Sequence, residues 1–286
     1  MSGSKRVAVV TGSNKGIGFA IVRGLCKQFD GDVYLTARNE IIGLDAVENL
    51  KREGLQVKFH QLDITKPYTI KKLKTYLQDS YGGLDILVNN AGIGYPEAST
   101  VPFGEQAEAS VRTNFTGTLA VSEALFPILR PHARVVNISS IISQFIMNQC
   151  RADLRETLLS HTCITMEKLN NLMEQFVDSA KTGTYQDLGW PNTGLASYGI
   201  SKIGVTIMSF IQQRELLNDA RPDVVVNACC PGFVATDLTD HRGTKSIDEG
   251  ADTPLYLAML PLNTTSPNGE LVSDRTILDW QVTQTY

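Results

Sequence analysis

The chain has 286 residues, 42% hydrophobic and 20% charged, a globular composition that excludes disordered, collagenous and coiled-coil readings. Twenty-six basic against thirty acidic residues leave a net charge of −4, so no basic excess is available for general nucleic-acid binding. No apolar run approaches the roughly 18 residues of a membrane span, and Lys5-Arg6 lead directly into a strand pattern rather than a signal peptide. A cytoplasmic location with no membrane partner is expected.

Short apolar runs alternate with helix-length amphipathic stretches. Strands are predicted at 7–10, 32–36, 56–60, 85–89, 134–138, 224–228 and near Leu271-Val272, and helices at about 16–29, 40–53, 67–80, 103–129, 196–219 and 247–259. This rhythm predicts an α/β fold, a Rossmann-type doubly wound parallel sheet of seven strands in a single domain spanning 1–286. One stretch, about 142–195, breaks the rhythm and reads as a helical insertion before the helix that carries Tyr198. Within it, Leu169, Leu172, Met173, Phe176 and Val177 fall on one helix face behind a possible Thr165 cap, and that face needs a surface to cover it. A shorter helix is expected around 152–160, with Gly189-Trp190-Pro191 closing the excursion.

Five cysteines without a C-x-x-C and four scattered histidines complete no zinc spacing, so neither structural disulfides nor a metal site is expected. Cys229-Cys230 reads as a pair of small apolar residues ending a buried strand.

The first strand runs into Thr11-Gly12-Ser13-Asn14-Lys15-Gly16-Ile17-Gly18, and a helical pattern starts at once. Strand, glycine turn and helix together make a pyrophosphate cradle: the glycines allow close backbone approach, and the helix N-terminus presents free N–H groups. NAD enzymes place a carboxylate about twenty residues on, to hold the adenosine ribose. Here that count lands on Arg38, which with Lys15 would meet the 2′-phosphate of NADP instead. Tyr198 and Lys202 lie four apart on a predicted helix, so both side chains face one ligand; a nearby ammonium would lower the tyrosine pKa toward neutrality.

The ordered set Thr11…Gly18, Asn89-Asn90-Ala91-Gly92, Asn114, Ser140, Tyr198-Gly199-Ile200-Ser201-Lys202 and Pro231-Gly232 resembles the short-chain dehydrogenase/reductase family over nearly the whole chain. The flanking Tyr81-Gly82-Gly83-Leu84-Asp85, Asn227-Ala228-Cys229-Cys230 and the long insertion are most similar to its NADPH-dependent carbonyl reductase branch. The resemblance implies NADPH-dependent reduction of ketones, aldehydes or quinones, with Tyr198 as proton donor, Lys202 favouring the phenolate and holding the nicotinamide ribose, Ser140 polarising the carbonyl, and Asn114 supporting a proton-relay water. It also implies cofactor contacts at Asp63, approaching the adenine, at Asn90 on the adenosine side, at Ile64, Ala91 and Gly92, and at Pro231, Gly232, Val234 and Thr236 past the nicotinamide, Thr236 reaching its carboxamide. Ser140, Ile141, Tyr198 and Phe233 are the implied substrate contacts, Phe233 standing where the branch carries Trp.

The alternatives are a more selective ketone reductase of the terpenoid or alkaloid type, and a non-catalytic nucleotide-binding regulator that uses the insertion as a partner surface. Ser140 and Tyr198 are separated by 57 residues (141 to 197), far more than in typical members of the family. The surplus emerges beside the two helices through which such members associate, so the insertion is expected to cover them and leave a monomer.

Overall fold

Side-chain alternation along the first strand, β1 (Val7–Val10), dictates the layering: Val7 and Val9 enter one apolar cluster, Ala8 and Val10 another. A sheet apolar on both faces needs helices on both. The computed structural model, which describes residues 5–96, 98–160 and 162–281, supplies them. The expected span of 1–286 therefore includes residues outside the described ones.

The first half winds through α1 (Gly16–Gln28), β2 (Asp32–Ala37), α2 (Glu40–Arg52), β3 (Lys58–Gln61), α3 (Pro67–Tyr81) and β4 (Leu84–Asn89). Next come α4 (Phe103–Ser110), a π-helical segment (Val111–Gly117), α5 (Thr118–Leu125) and β5 (Leu129–Ile138). The insertion holds α6 (Ile142–Gln149), α7 (Ala152–Leu159) and α8 (Met166–Thr182). The chain returns through α9 (Ala196–Leu216), β6 (Val225–Cys230), α10 (Ile247–Ala258), β7 (Leu271–Ser273) and β8 (Thr276–Leu278). Strand order is β3-β2-β1-β4-β5-β6-β7-β8. Helices α1, α2 and α10 cover one face and α3, α5 and α9 the other. The order reverses between β1 and β4, which opens the crevice where such sheets bind ligands.

Three expectations need correction. Among the described residues the sheet has eight strands rather than seven, because β8 pairs antiparallel with β7. Asp274 and Arg275 both adopt positive φ (48° and 58°) in the tight turn between them, and with no glycine there the sequence carries little hairpin signal. The helix expected over 103–129 is broken by the π segment and ends in a short 3-10 turn, so β5 already begins at Leu129. Finally, α6 was not anticipated; its Ile142 and Ile146 pack so closely on α9 that a Cβ on Gly199 would lie 2.3 Å from Ile146 Cγ1.

The insertion covers the chain's own helices. Thr165 caps α8 by accepting from Lys168 N at 3.1 Å, and Gly183 ends it at φ 78°. Leu169, Met173 and Phe176 are buried and Leu172 and Val177 partly so. A Cβ on Gly104 of α4 would lie 2.8 Å from Lys181 Cα, and one on Gly204 of α9 would lie 3.0 Å from Met173 Sδ. The apolar stripe is therefore spent on α4 and α9. Phe176 also meets the rings of Phe103 and Trp190, so the Gly189-Trp190-Pro191 turn closes on the helix it follows.

Candidate active site

The glycine loop at the end of β1 is built from the inside. Thr11 N donates to Val88 O, Ser13 N to Thr36 O, and Ser13 Oγ to Val10 O, so the loop is pinned to both neighbouring strands. Thr11 Oγ1 accepts from the backbone N–H groups of Asn90 and Ala91, and Asn90 Nδ2 donates to the carbonyls of Thr11 and Gly12. Asn90 thus holds the loop from beneath. Gly12 (φ 58°) and Gly16 (φ 60°) take conformations that disfavour side chains, and a Cβ on Gly12 would meet Ala91 at 2.8 Å.

These residues fit an anionic dinucleotide. Helix α1 starts at Gly16 with no side-chain cap, leaving its first N–H groups for a phosphate. Arg38 is exposed where β2 ends, and among the described residues its guanidinium pairs with no carboxylate. Lys15, however, donates to Asp237 across the groove. Asp63 accepts from Thr65 N and Thr65 Oγ1, so its carboxylate holds its own turn; Ile64 packs against Gly117 of the π segment.

Tyr198 and Lys202 share a face of α9, as the spacing predicts. Ser140, at the end of β5, is within hydrogen-bonding reach of the Tyr198 phenol and also accepts from Ile142 N at 3.2 Å. Lys202 Nζ is buried, donates to Ile138 O at 2.7 Å and lies 5.6 Å from the Tyr198 ring centroid. The expected lowering of the phenol pKa is not what this geometry gives. Burial pushes Tyr198 above its ordinary value, nearby Cys230 adds to that, and the Ser140 hydrogen bond opposes it. Burial brings Lys202 down to about 8.

Asn114 is deeply buried rather than a surface residue of its helix. Its Oδ1 accepts from Ile93 N at 2.8 Å, and its Nδ2 donates to Ile93 O and to Ser201 Oγ, both at 2.9 Å. It lies within the π segment, an irregularity frequent at functional sites. A Cβ on Gly92 would lie 3.2 Å from Asn114 Oδ1 and 3.6 Å from Lys202 Nζ, so the strip of backbone between them is open to a ligand only because it is glycine.

Pro231 and Gly232 (φ 87°) follow β6, and Phe233 is half exposed. Thr236 Cγ2 would lie 3.4 Å from a Cβ on Gly16, so it faces the glycine loop. Val234 instead turns inward onto Gly250 of α10, leaving only its backbone for a ligand. Ile141 begins the insertion beside Ser140. Sequence reasoning missed Lys245, whose side chain lies over Gly232 and pairs with Asp274, and Leu238, which packs on Gly94 where Tyr198 also borders it. Neither carries a motif; both contacts come from segments distant in sequence. The vicinal Cys229 and Cys230 are buried at the end of β6, and burial pushes the Cys229 thiol well above its ordinary range.

The family profile described as short chain dehydrogenase matches residues 6–151. The chain belongs to this family. It is 48% identical over 281 residues to carbonyl reductase [NADPH] 1 of Mus musculus and to that of Homo sapiens, spanning 98% of this chain and 100% of each relative. Among solved structures it resembles salutaridine reductase from Papaver somniferum, with a TM-score of 0.84 at 30% identity over 94% of this chain and 100% of that one. Menthone neomenthol reductase from Mentha piperita follows at 0.77 and 29%, over 94% and 98%.

The Lys202 environment makes a testable claim about pH. An unfolded lysine holds its proton to about 10.4, whereas folded Lys202 loses it near 8. Between these values the unfolded chain binds the extra proton, so stability rises with pH. In urea titrations from pH 7.5 to 9.5 without cofactor, the wild type should gain on Lys202→Met by on the order of 1 kcal/mol per pH unit. A difference independent of pH would contradict the buried, destabilised ammonium.

Proposed function

We propose that the protein is an NADPH-dependent carbonyl reductase that converts ketones, aldehydes or quinones to alcohols. The observation that carries the reading is the Ser140–Tyr198 hydroxyl pair above buried Lys202, set beside the glycine loop at the β1/β4 crevice. NADP(H), when bound, supplies the hydride that the carbonyl carbon accepts. The first turn of α1 holds the pyrophosphate, and Arg38 with Lys15 meets the 2′-phosphate. Pro231, Gly232, the Val234 backbone and Thr236 run past the nicotinamide.

A carbonyl oxygen between the Ser140 and Tyr198 hydroxyls receives two hydrogen bonds that strengthen as it gains charge. Tyr198 then donates its proton to the developing alkoxide. A phenol held neutral by burial is in the protonated state this step requires, and the Lys202 ammonium beneath it stabilises the phenolate left behind. Asn114 positions the Ile93 backbone and α9 together, and its second carbonyl lone pair is suited to a water that returns the proton. Ile141 and Phe233 border the substrate. The relatives at 48% identity are named for carbonyl reduction, whereas the salutaridine and menthone neomenthol reductases stand at 30% and 29%.

One domain carries the whole activity in this reading, with α6–α8 as an appendage. The packing of α8 on α4 and α9 supports a monomer. Five free cysteines suit a reducing cytoplasm, and among the described residues no helix is long and apolar enough to cross a membrane.

Turnover followed as loss of nicotinamide absorbance should appear with a simple quinone and an aromatic aldehyde, well ahead of a bulky terpenoid ketone, and with NADPH well ahead of NADH. No turnover with any carbonyl, or equal use of the two cofactors, would contradict the reading. Light scattering at micromolar concentration should give the chain mass of 31.3 kDa; a dimer that persists on dilution would refute the shielding role of the insertion.

A further inference from the structure

The turn after Thr236 lies across the cofactor groove, touching the opposite rim with three successive residues. Thr236 faces Gly16. Asp237 accepts from Lys15 Nζ, and Leu238 packs on Gly94, which Tyr198 also borders. The Asp237 carboxylate is shared: His241 Nε2 sits 3.1 Å from its other oxygen. Lys15, the strongest influence on it, holds the carboxyl below its usual range, so Asp237 stays charged at neutral pH. The ammonium assigned to the 2′-phosphate is therefore already neutralised by a carboxylate from the far side of the groove.

We propose that Asp237 is a specificity-determining residue for the cofactor, competing with the 2′-phosphate for Lys15. This rests on the reading of the site as an NADPH site. A phosphate monoester carries about −1.5 to −2 charge against −1 for a carboxylate, so the 2′-phosphate of NADPH wins the ammonium. NADH has nothing to offer it, and the Lys15–Asp237 pair stays in place. Both partners are more than half exposed, with 69% and 58% of their side-chain surface accessible, so the pair is weak enough to exchange. Asp237 therefore weakens NADPH binding while leaving NADH binding nearly untouched, and it lets the cofactor go by giving Lys15 a partner on release. A position that looks like a spare acid in a loop sets how tightly NADPH is held.

The test is calorimetric binding of NADPH and NADH, at fixed ionic strength and without substrate, to the wild type, Asp237→Asn, Lys15→Ala and the double variant, each checked for an unchanged melting temperature. Asp237→Asn should tighten NADPH binding by about two- to fivefold, leave NADH within error, and give a smaller gain when Lys15 is already alanine. NADPH affinity that is unchanged or weakened by Asp237→Asn, or a gain as large without Lys15, would overturn the proposal. A wild type that binds NADPH and NADH equally would instead sink the cofactor reading itself, so the two failures are distinguishable.

Discussion

The buried amide of Asn114 is the constraint on which the site depends. One side chain clamps both backbone groups of Ile93, just beyond β4, and reaches Ser201 on α9. The nucleotide side of the crevice and the helix that carries Tyr198 and Lys202 are thereby held at a fixed separation. A regular α-helix would leave Asn114 to be placed by its own hydrogen-bond ladder. The π segment supplies an extra residue in the turn at that point, and the amide sits inside the fold. Hydrogen bonds from a fully buried amide leave little freedom, because any movement strands a polar group away from water.

The second constraint is apolar. Helix α8 buries Leu169, Met173 and Phe176 against the faces of α4 and α9 that support the Asn114 and Tyr198 segments. Close-packed interiors have low compressibility, so the insertion stiffens the back of the site as well as covering it. Its first helix, α6, begins two residues after Ser140, and its last turn leads into α9, which begins two residues before Tyr198. The Ser140 and Tyr198 hydroxyls therefore stand at the two roots of one appended helical unit.

Local chemistry was legible in the sequence. The glycine loop, the four-residue spacing of Tyr198 and Lys202, the Thr165 cap and the stripe on α8 each depend on residues near one another in the chain, and each lies as its pattern predicts. Features that depend on partners far away in sequence were not. The carbonyl that takes the Lys202 ammonium comes from Ile138, and the carboxylate that takes Lys15 comes from Asp237. Burial, which no spacing reveals, sets the direction of the Tyr198 and Lys202 shifts. The Asp274-Arg275 turn hides a hairpin because nothing in its residue types demands positive φ. Val234 sits in the stretch that the sequence assigns to cofactor contact yet turns into α10, since alternation along an extended segment decides side-chain direction.

The proposed reduction depends on a single hydroxyl, that of Tyr198, whose proton would move only in the transition state. Removing it should leave the groove, the Lys202–Ile138 hydrogen bond and the glycine loop as they are. The most direct measurement is therefore Tyr198→Phe, with NADPH affinity and single-turnover rate determined on the same preparation. NADPH affinity should stay within about twofold while the rate falls by well over tenfold, a loss of more than about 1.4 kcal/mol of transition-state stabilisation. A variant that kept a tenth or more of the rate would contradict Tyr198 as the proton donor.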